Sequence, residues 1–139
     1  MRITLKGVSE SASVARHAIR DFLGAGHPVI HEVELCASEL VTNSVLHSES
    51  REGTLDMLVF DMSPRLTLRS PAIRVVVIDA GGESVPVLKP DSEFSLSGRG
   101  LLIVHEYASR WDFSQRDRQT ITWFEIDYQT RSRAPDRVG

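Results

Sequence analysis

Glu39, Asn43 and His47 stand four residues apart in a stretch, from about Val29 to Ser48, that holds few helix breakers. On a helix such residues share one stripe, each a turn above the last. A carboxylate placed there can accept a proton or orient a nucleophile. An amide oxygen one turn on is a hard donor suited to Mg²⁺. A neighbouring face, with Val33, Ala37, Leu40 and Ser44 at three- and four-residue steps, would pack the helix down. Taken alone, the polar triplet reads more readily as a solvated helix face, because such triplets are common on helices.

Two further stretches carry chemistry of their own. Asp79 follows the most β-prone run of the chain, Ile73 to Ile78, and precedes Ala80-Gly81-Gly82. Its carboxylate can accept a hydrogen bond from an exocyclic amine such as that of adenine, and Gly81 and Gly82 leave room for a flat base. The other reading makes Asp79 a turn cap and the glycines suppliers of positive φ. Gly98-Arg99-Gly100-Leu101-Leu102 is a glycine-rich lead into a helix. Free amides and the helix dipole at such a point suit phosphate. The run fits neither a dinucleotide fingerprint nor a Gly-Lys-Ser/Thr phosphate loop.

These groups need a scaffold. Arg2 to Val8 alternates as a first strand, with Ile3, Leu5 and Gly7 on one side. Ser9 or Ser11 can cap a helix to Leu23 whose apolar stripe is Val14, Ala15, Ala18, Ile19 and Phe22. Gly24-Ala25-Gly26 ends it, and Pro28 suits the first turn of the next helix. Thr54 to Phe60 is a strand with Leu55, Met57 and Val59 on one face. Leu66-Thr67-Leu68, bracketed by Pro64 and Pro71, fits a short edge strand or a loop. Glu83 to Ser97 is aperiodic and holds Pro86 and Pro90, as a functional loop or lid would. A third helix is expected from Leu101 to about Ser109, then a strand from Trp111, a turn over Ser114 to Arg118 and a last strand from Gln119 to Tyr128. That strand would pack through Ile121, Trp123 or Phe124, and Ile126. Strands and helices segregate, which predicts an α+β fold: a two-layer sandwich with a mainly antiparallel mixed sheet and helices on one face. Residues 1–128 form the domain and 129–139 a loose tail.

Composition narrows the partners. Sixteen basic and nineteen acidic residues give a formal charge of −3 among 139 residues, which argues against direct nucleic-acid binding. The single cysteine, Cys36, cannot form an internal disulfide and reads as a buried thiol in a reducing compartment. The five histidines are scattered, without zinc spacing. No apolar run is long enough to span a bilayer, and the start does not read as a signal peptide. The expectation is a cytoplasmic protein with no membrane partner.

Three runs together resemble a known family: Glu39-Leu40-Val41-Thr42-Asn43-Ser44-Val45-Leu46-His47, Val77-Ile78-Asp79-Ala80-Gly81-Gly82, and Ser97-Gly98-Arg99-Gly100-Leu101-Leu102-Ile103-Val104. They are similar, in this order, to the N box and two G boxes of the GHKL (Bergerat) ATP-binding fold of histidine kinases and gyrase. The likeness is greatest to the anti-sigma-factor serine/threonine kinase branch of actinobacterial type. Glu83 fills the last glycine position of the first G box, a departure from the family pattern. The resemblance implies ATP and Mg²⁺ as cofactors. It implies Glu39 as the catalytic residue that orients or deprotonates the attacking hydroxyl, Asn43 as the Mg²⁺ ligand and Asp79 on the adenine amine, with Gly81 and Gly82 beside the ring. It implies Gly98, Arg99, Gly100 and Leu101 on the phosphates, Thr120 (otherwise Thr122) supporting the adenine contact, and His47 closing the N box. The partners it implies are a sigma factor and an anti-anti-sigma antagonist that accepts the phosphoryl group, with a homodimer by analogy. A nucleotide-binding regulatory module without phosphotransfer is the alternative.

Overall fold

The computed structural model describes residues 1–47, 53–62, 70–80 and 96–129; of His47 and residues 96–100 only the backbone is described. The elements run β1 (Arg2–Lys6), α1 (Ser11–Leu23), α2 (Ile30–His47), β2 (Thr54–Met62), β3 (Ala72–Asp79), α3 (Leu96–Tyr107), β4 (Arg110–Arg116) and β5 (Gln119–Asp127). The expected Leu66–Leu68 strand or loop, Gly81, Gly82, most of the Glu83–Ser97 loop and the tail beyond 129 lie outside the described residues.

The strands form one sheet in the order β1-β2-β3-β5-β4. Every pairing among the described residues is antiparallel, in line with the mainly antiparallel sheet expected. Alternation sends Leu55, Met57, Val59, Ile73, Val75 and Val77 into a core that the helices close from one side. Phe124 and Ile126 of β5 join them. Ile121 does not: it lies with Trp123 on the opposite, helix-free face. Both parities of β5 are apolar, so periodicity could not choose between them. The pairing of Asp79 with Thr120 fixes the choice.

Helix α1 also sits differently from its expected stripe. Its inward residues are Ser11, Ala15 and Ile19, while Val14 (48 %) and Phe22 (45 %) are exposed. Small Ser11 and Ala15 allow close approach to the sheet. Ser11 does not cap the helix; its hydroxyl donates to the Lys6 carbonyl at 2.5 Å and ties α1 to β1. On α1, Arg20 grips Glu34 of α2 through Nε and Nη2 at 2.8 and 3.0 Å, which fixes the rotation of one helix against the other. At the far end Gly24 takes φ 91°, a conformation that favours glycine, and its N–H reaches the Arg20 carbonyl.

His27 starts α2. Its carbonyl accepts from Ile30 N–H and its Nδ1 from Val29 N–H, so Pro28 sits in the lead-in turn, where an absent N–H costs nothing. The β4–β5 turn is shorter than expected. Only Asp117 and Arg118 form it, with φ 51° and 65°, the positive pair of a type I′ hairpin.

Candidate nucleotide site

The direction of each element decides where the candidate residues meet. The β3–β5 pair has two ends. At one, Ala72 faces Asp127; at the other, Asp79 faces Thr120. Helix α2 begins beside the first, because His27 lies edge-on to the Tyr128 ring at 4.6 Å. Its eighteen residues span about 27 Å, close to the length of the strands beneath. Its C-terminal half, with Glu39, Asn43 and His47, therefore runs toward Asp79 and Thr120. Helix α3 runs the opposite way. It finishes at the first end, where Ser109 N–H bonds the Glu125 carbonyl at 2.8 Å and Asp127 N–H bonds the Ser109 hydroxyl at 3.0 Å. Its start, with Gly98, Arg99 and Gly100, is directed at the Asp79 end. Topology thus gathers the three separated runs at one end of the sheet.

Asp79 is 7 % exposed and Thr120 is 5 % exposed. As register partners on the core-facing side they stand side by side, while Thr122 is paired one row inward with Val77. Glu39 and Asn43 are half-buried, one turn apart. Leu101 is buried and anchors α3 in the core.

Helix α3 starts at Leu96, not Leu101, so the glycine run lies inside its first turns. A helix leaves only its first four amides unbonded. In a helix starting at Leu96 that set ends at about Gly98, and the amides of Gly100 and Leu101 fall to the helix's own ladder. Of the run Gly98 to Leu101, only the Gly98 amide then stays outside the helix's own ladder.

One feature of α2, Glu32, escaped sequence reasoning. Glu32 shares the stripe of Cys36, Glu39 and Asn43, and one of its carboxylate oxygens, Oε2, is buried without a hydrogen-bond partner. One of three glutamates on α2, it carried no distinguishing signal in the sequence. Cys36 lies between the two carboxylates. Burial first, then Glu39 and Glu32, push its thiol up to about 12, so it is a neutral packing group.

The donor set suits a metal brought in by its ligand. Among the described residues no three His, Cys, Asp or Glu side chains cluster as a metal cage. One amide oxygen at Asn43 is the kind of contribution Mg²⁺ takes when phosphates and water fill its other positions.

Comparisons with known proteins bear on the family and the fold. Residues 5–126 match the family model for the histidine kinase-like ATPase domain. The crystal structure of the RsbU and RsbW domains of Rv1364c from Mycobacterium tuberculosis is similar at TM-score 0.67 and 20 % identity, covering 91 % of this chain and 32 % of that one. A histidine kinase domain from the blue-light activated histidine kinase EL346 of Erythrobacter litoralis aligns at TM-score 0.49 and 19 % identity, over 86 % of this chain and 60 % of that one. The chain thus spans less than two thirds of either solved chain. No curated protein sequence matches it significantly. Among the described residues no helix is long and apolar enough to cross a membrane. With the family match running from β1 through β5 of an antiparallel sheet closed by helices on one side, the chain belongs to the histidine kinase-like ATPase domain family.

Proposed function

We propose that this chain is an ATP- and Mg²⁺-dependent regulatory protein of the anti-sigma-factor type, with serine/threonine kinase activity toward an anti-anti-sigma antagonist. What carries the reading is the convergence of the Glu39–Asn43 stripe, the Asp79–Thr120 pair and the start of α3, in a chain matched over 5–126 by an ATPase-domain family. Bound Mg·ATP would supply a transferable γ-phosphoryl group with its charge partly neutralised. Asn43 would offer its amide oxygen to the metal. Asp79, supported by Thr120, would accept from the adenine amine, and Gly81 and Gly82 would flank the ring. The start of α3 would meet the phosphates, with Gly98 the member whose amide the helix leaves open. Glu39 would take the proton of the substrate serine as its oxygen bonds to the γ-phosphorus and the bond to the β-phosphate oxygen breaks, releasing ADP. Placement and charge neutralisation then supply most of the rate.

The test is calorimetric titration of ATP with and without Mg²⁺, followed by transfer of labelled γ-phosphate to a candidate antagonist protein. Binding that tightens with Mg²⁺, then a labelled phosphoserine, is expected. Absence of heat in both titrations would remove the nucleotide reading. Binding with no transfer to a cognate partner would leave a nucleotide-dependent interaction module.

A further inference from the structure

Strand β1 forms one edge of the sheet and pairs with β2 alone. Its hydrogen bonds fix which residues face β2. The Met1 ammonium donates to the Val59 carbonyl at 2.9 Å, Val59 N–H donates to the Met1 carbonyl at 2.9 Å, and Gly7 N–H donates to the Gly53 carbonyl at 2.8 Å. Direction alternates along an antiparallel ladder. Met1, Ile3, Leu5 and Gly7 therefore turn their backbone groups toward β2, and Arg2, Thr4 and Lys6 turn theirs away from it. The Lys6 carbonyl is taken by the Ser11 hydroxyl. The amide and carbonyl of Arg2, the amide and carbonyl of Thr4 and the amide of Lys6 then point past the sheet, without a partner among the described residues.

An apolar stripe stands over this open edge. Helix α1 rests on β1 and β2, while α2 rests on β3 and β5. Arg20 of α1 faces α2 through Glu34, and Ile19 faces the sheet. Val14, Ala18 and Phe22, at four-residue steps, fall on the flank of α1 turned away from α2 and beyond β1. Val14 and Phe22 are exposed and Ala18 is half-buried. From Ser11, held at Lys6, α1 runs back along β1, so the stripe follows the edge from Lys6 toward Met1. Eight helical residues cover about 12 Å, close to the ~13 Å of two dipeptide steps along a strand.

We infer that this edge takes an extended segment of another protein as an added strand. The segment carries apolar side chains at alternate positions toward α1 and acidic side chains between them. The outward amides and carbonyls select an extended backbone. The Val14–Ala18–Phe22 stripe selects the apolar parity. Charge selects the other parity. Arg2, Thr4 and Lys6 lie on the helix-free side, where Asp56 engages Arg2 and Thr4, and Lys6 has no carboxylate partner among the described residues. Charge also turns away a second copy of β1. Antiparallel pairing of two such strands about Thr4 sets each Arg2 opposite the other's Lys6, and like charges directly opposite destabilise a ladder. A short edge strand carrying lysine is guarded against its own kind, and that guard attracts an acidic strand. The inference does not depend on the nucleotide reading.

Amide hydrogen exchange of the full chain, read by NMR, tests it. The probe is a blocked peptide, Gly-Val-Glu-Val-Glu-Val-Gly, at millimolar concentration. In the free chain the Thr4 and Lys6 amides should exchange fast and those of Ile3 and Leu5 slowly. The peptide should protect the first pair and leave the second unchanged. The same peptide with lysine in place of glutamate should bind several-fold more weakly, and Lys6→Glu should reverse that order. Phe22→Asp, at an exposed position that does not threaten folding, should weaken the glutamate peptide at least ~10-fold. Slow exchange of Thr4 and Lys6 in the free chain would overturn the inference, because the edge would already be covered by the chain itself. So would failure of both peptides to protect these amides, a charge preference indifferent to Lys6→Glu, or binding indifferent to Phe22→Asp.

Discussion

The two ends of the β3–β5 pair are built from different side chains. At the Ala72–Asp127 end, long and aromatic groups reach across elements. Tyr128 donates its hydroxyl to Asp61 at 2.6 Å, His27 rests on the Tyr128 ring while capping α2, and Arg74, Glu125, Arg110 and Asp127 form a linked set of ion pairs. Arg74 also lies over the Trp123 ring at 4.2 Å. At the Asp79–Thr120 end the buried polar groups are short: Asp79, Thr120, Thr122 and, on α2, Ser44. Long side chains fasten β2, β4, β5 and the start of α2 into one unit. If the proposed function holds, the end with linked long side chains serves stability and the other serves chemistry, and mutations at the two ends should separate along that line.

The largest effects belong to the short-residue end and should leave stability nearly untouched. Glu39→Ala should keep nucleotide affinity and lower phosphoryl transfer by about 10²–10⁴-fold, as loss of a general base does; full transfer by a folded variant would take Glu39 out of the reaction. Asn43→Ala should abolish the Mg²⁺-dependent gain in ATP affinity. A calorimetric titration that still responds to Mg²⁺ would place the metal elsewhere. Asp79→Asn removes an acceptor for the base and should weaken ATP by about 10–100-fold. Inorganic triphosphate, which carries no base, should bind it as before; equal losses for both ligands would contradict the adenine role.

How much of this was legible beforehand differs by region for physical reasons. Helix α2 was readable to within a residue or two at each end, because its apolar spacing and the Pro28 lead-in agree. The chemistry-bearing residues were readable as types: a carboxylate and an amide one turn apart, an aspartate after a buried strand, a glycine run. That they converge was not readable from spacing, since it rests on α2 and α3 running in opposite directions over the β3–β5 pair. Face choice failed where both parities were apolar, as with Ile121 and Trp123 against Phe124 and Ile126. In α1 the expected Ala15 and Ile19 do face inward, but small Ser11 joins them while the large Val14 and Phe22 lie outside. The start of α3 was placed late because glycine lowers helix propensity, a weak preference that the surrounding structure overrides at Gly98 and Gly100.

Effects at the fastened end should be smaller and confined to stability. Glu125 is half-buried, and burial alone would raise its pKa. Hydrogen bonds from Arg110 and Arg74 outweigh that and hold it below the ordinary carboxylate range. A depressed carboxyl stabilises the fold above its unfolded pKa and loses that contribution as pH falls through the folded value. Glu125→Gln should therefore cost about 1–2 kcal/mol at neutral pH, discounted for the partial exposure of both arginines. The difference from the parent should close in acid. Denaturant midpoints across an acid series check this, and ATP affinity should not change.

The smallest effect expected is that of Tyr128→Phe, and pH makes it the sharpest. The ring and its edge contact with His27 are kept; only the hydroxyl that donates to the exposed Asp61 is lost, a cost of about 0.5–1 kcal/mol. Burial first, then the bond to Asp61 and its charge, push the Tyr128 hydroxyl up to about 12, above an unfolded value of about 10. A raised acid of this kind stabilises the fold fully below its unfolded pKa, and that contribution drains away as pH rises through the folded one. The parent should thus be the more stable protein up to about pH 10. Between there and about 12 its advantage over Tyr128→Phe should shrink and vanish, because the variant has no proton to lose at this position. Parallel denaturant titrations at neutral and alkaline pH measure it. A constant difference across that range would show that Asp61 does not hold the hydroxyl in solution. A fall in ATP affinity in the same variant would break the separation between the two ends.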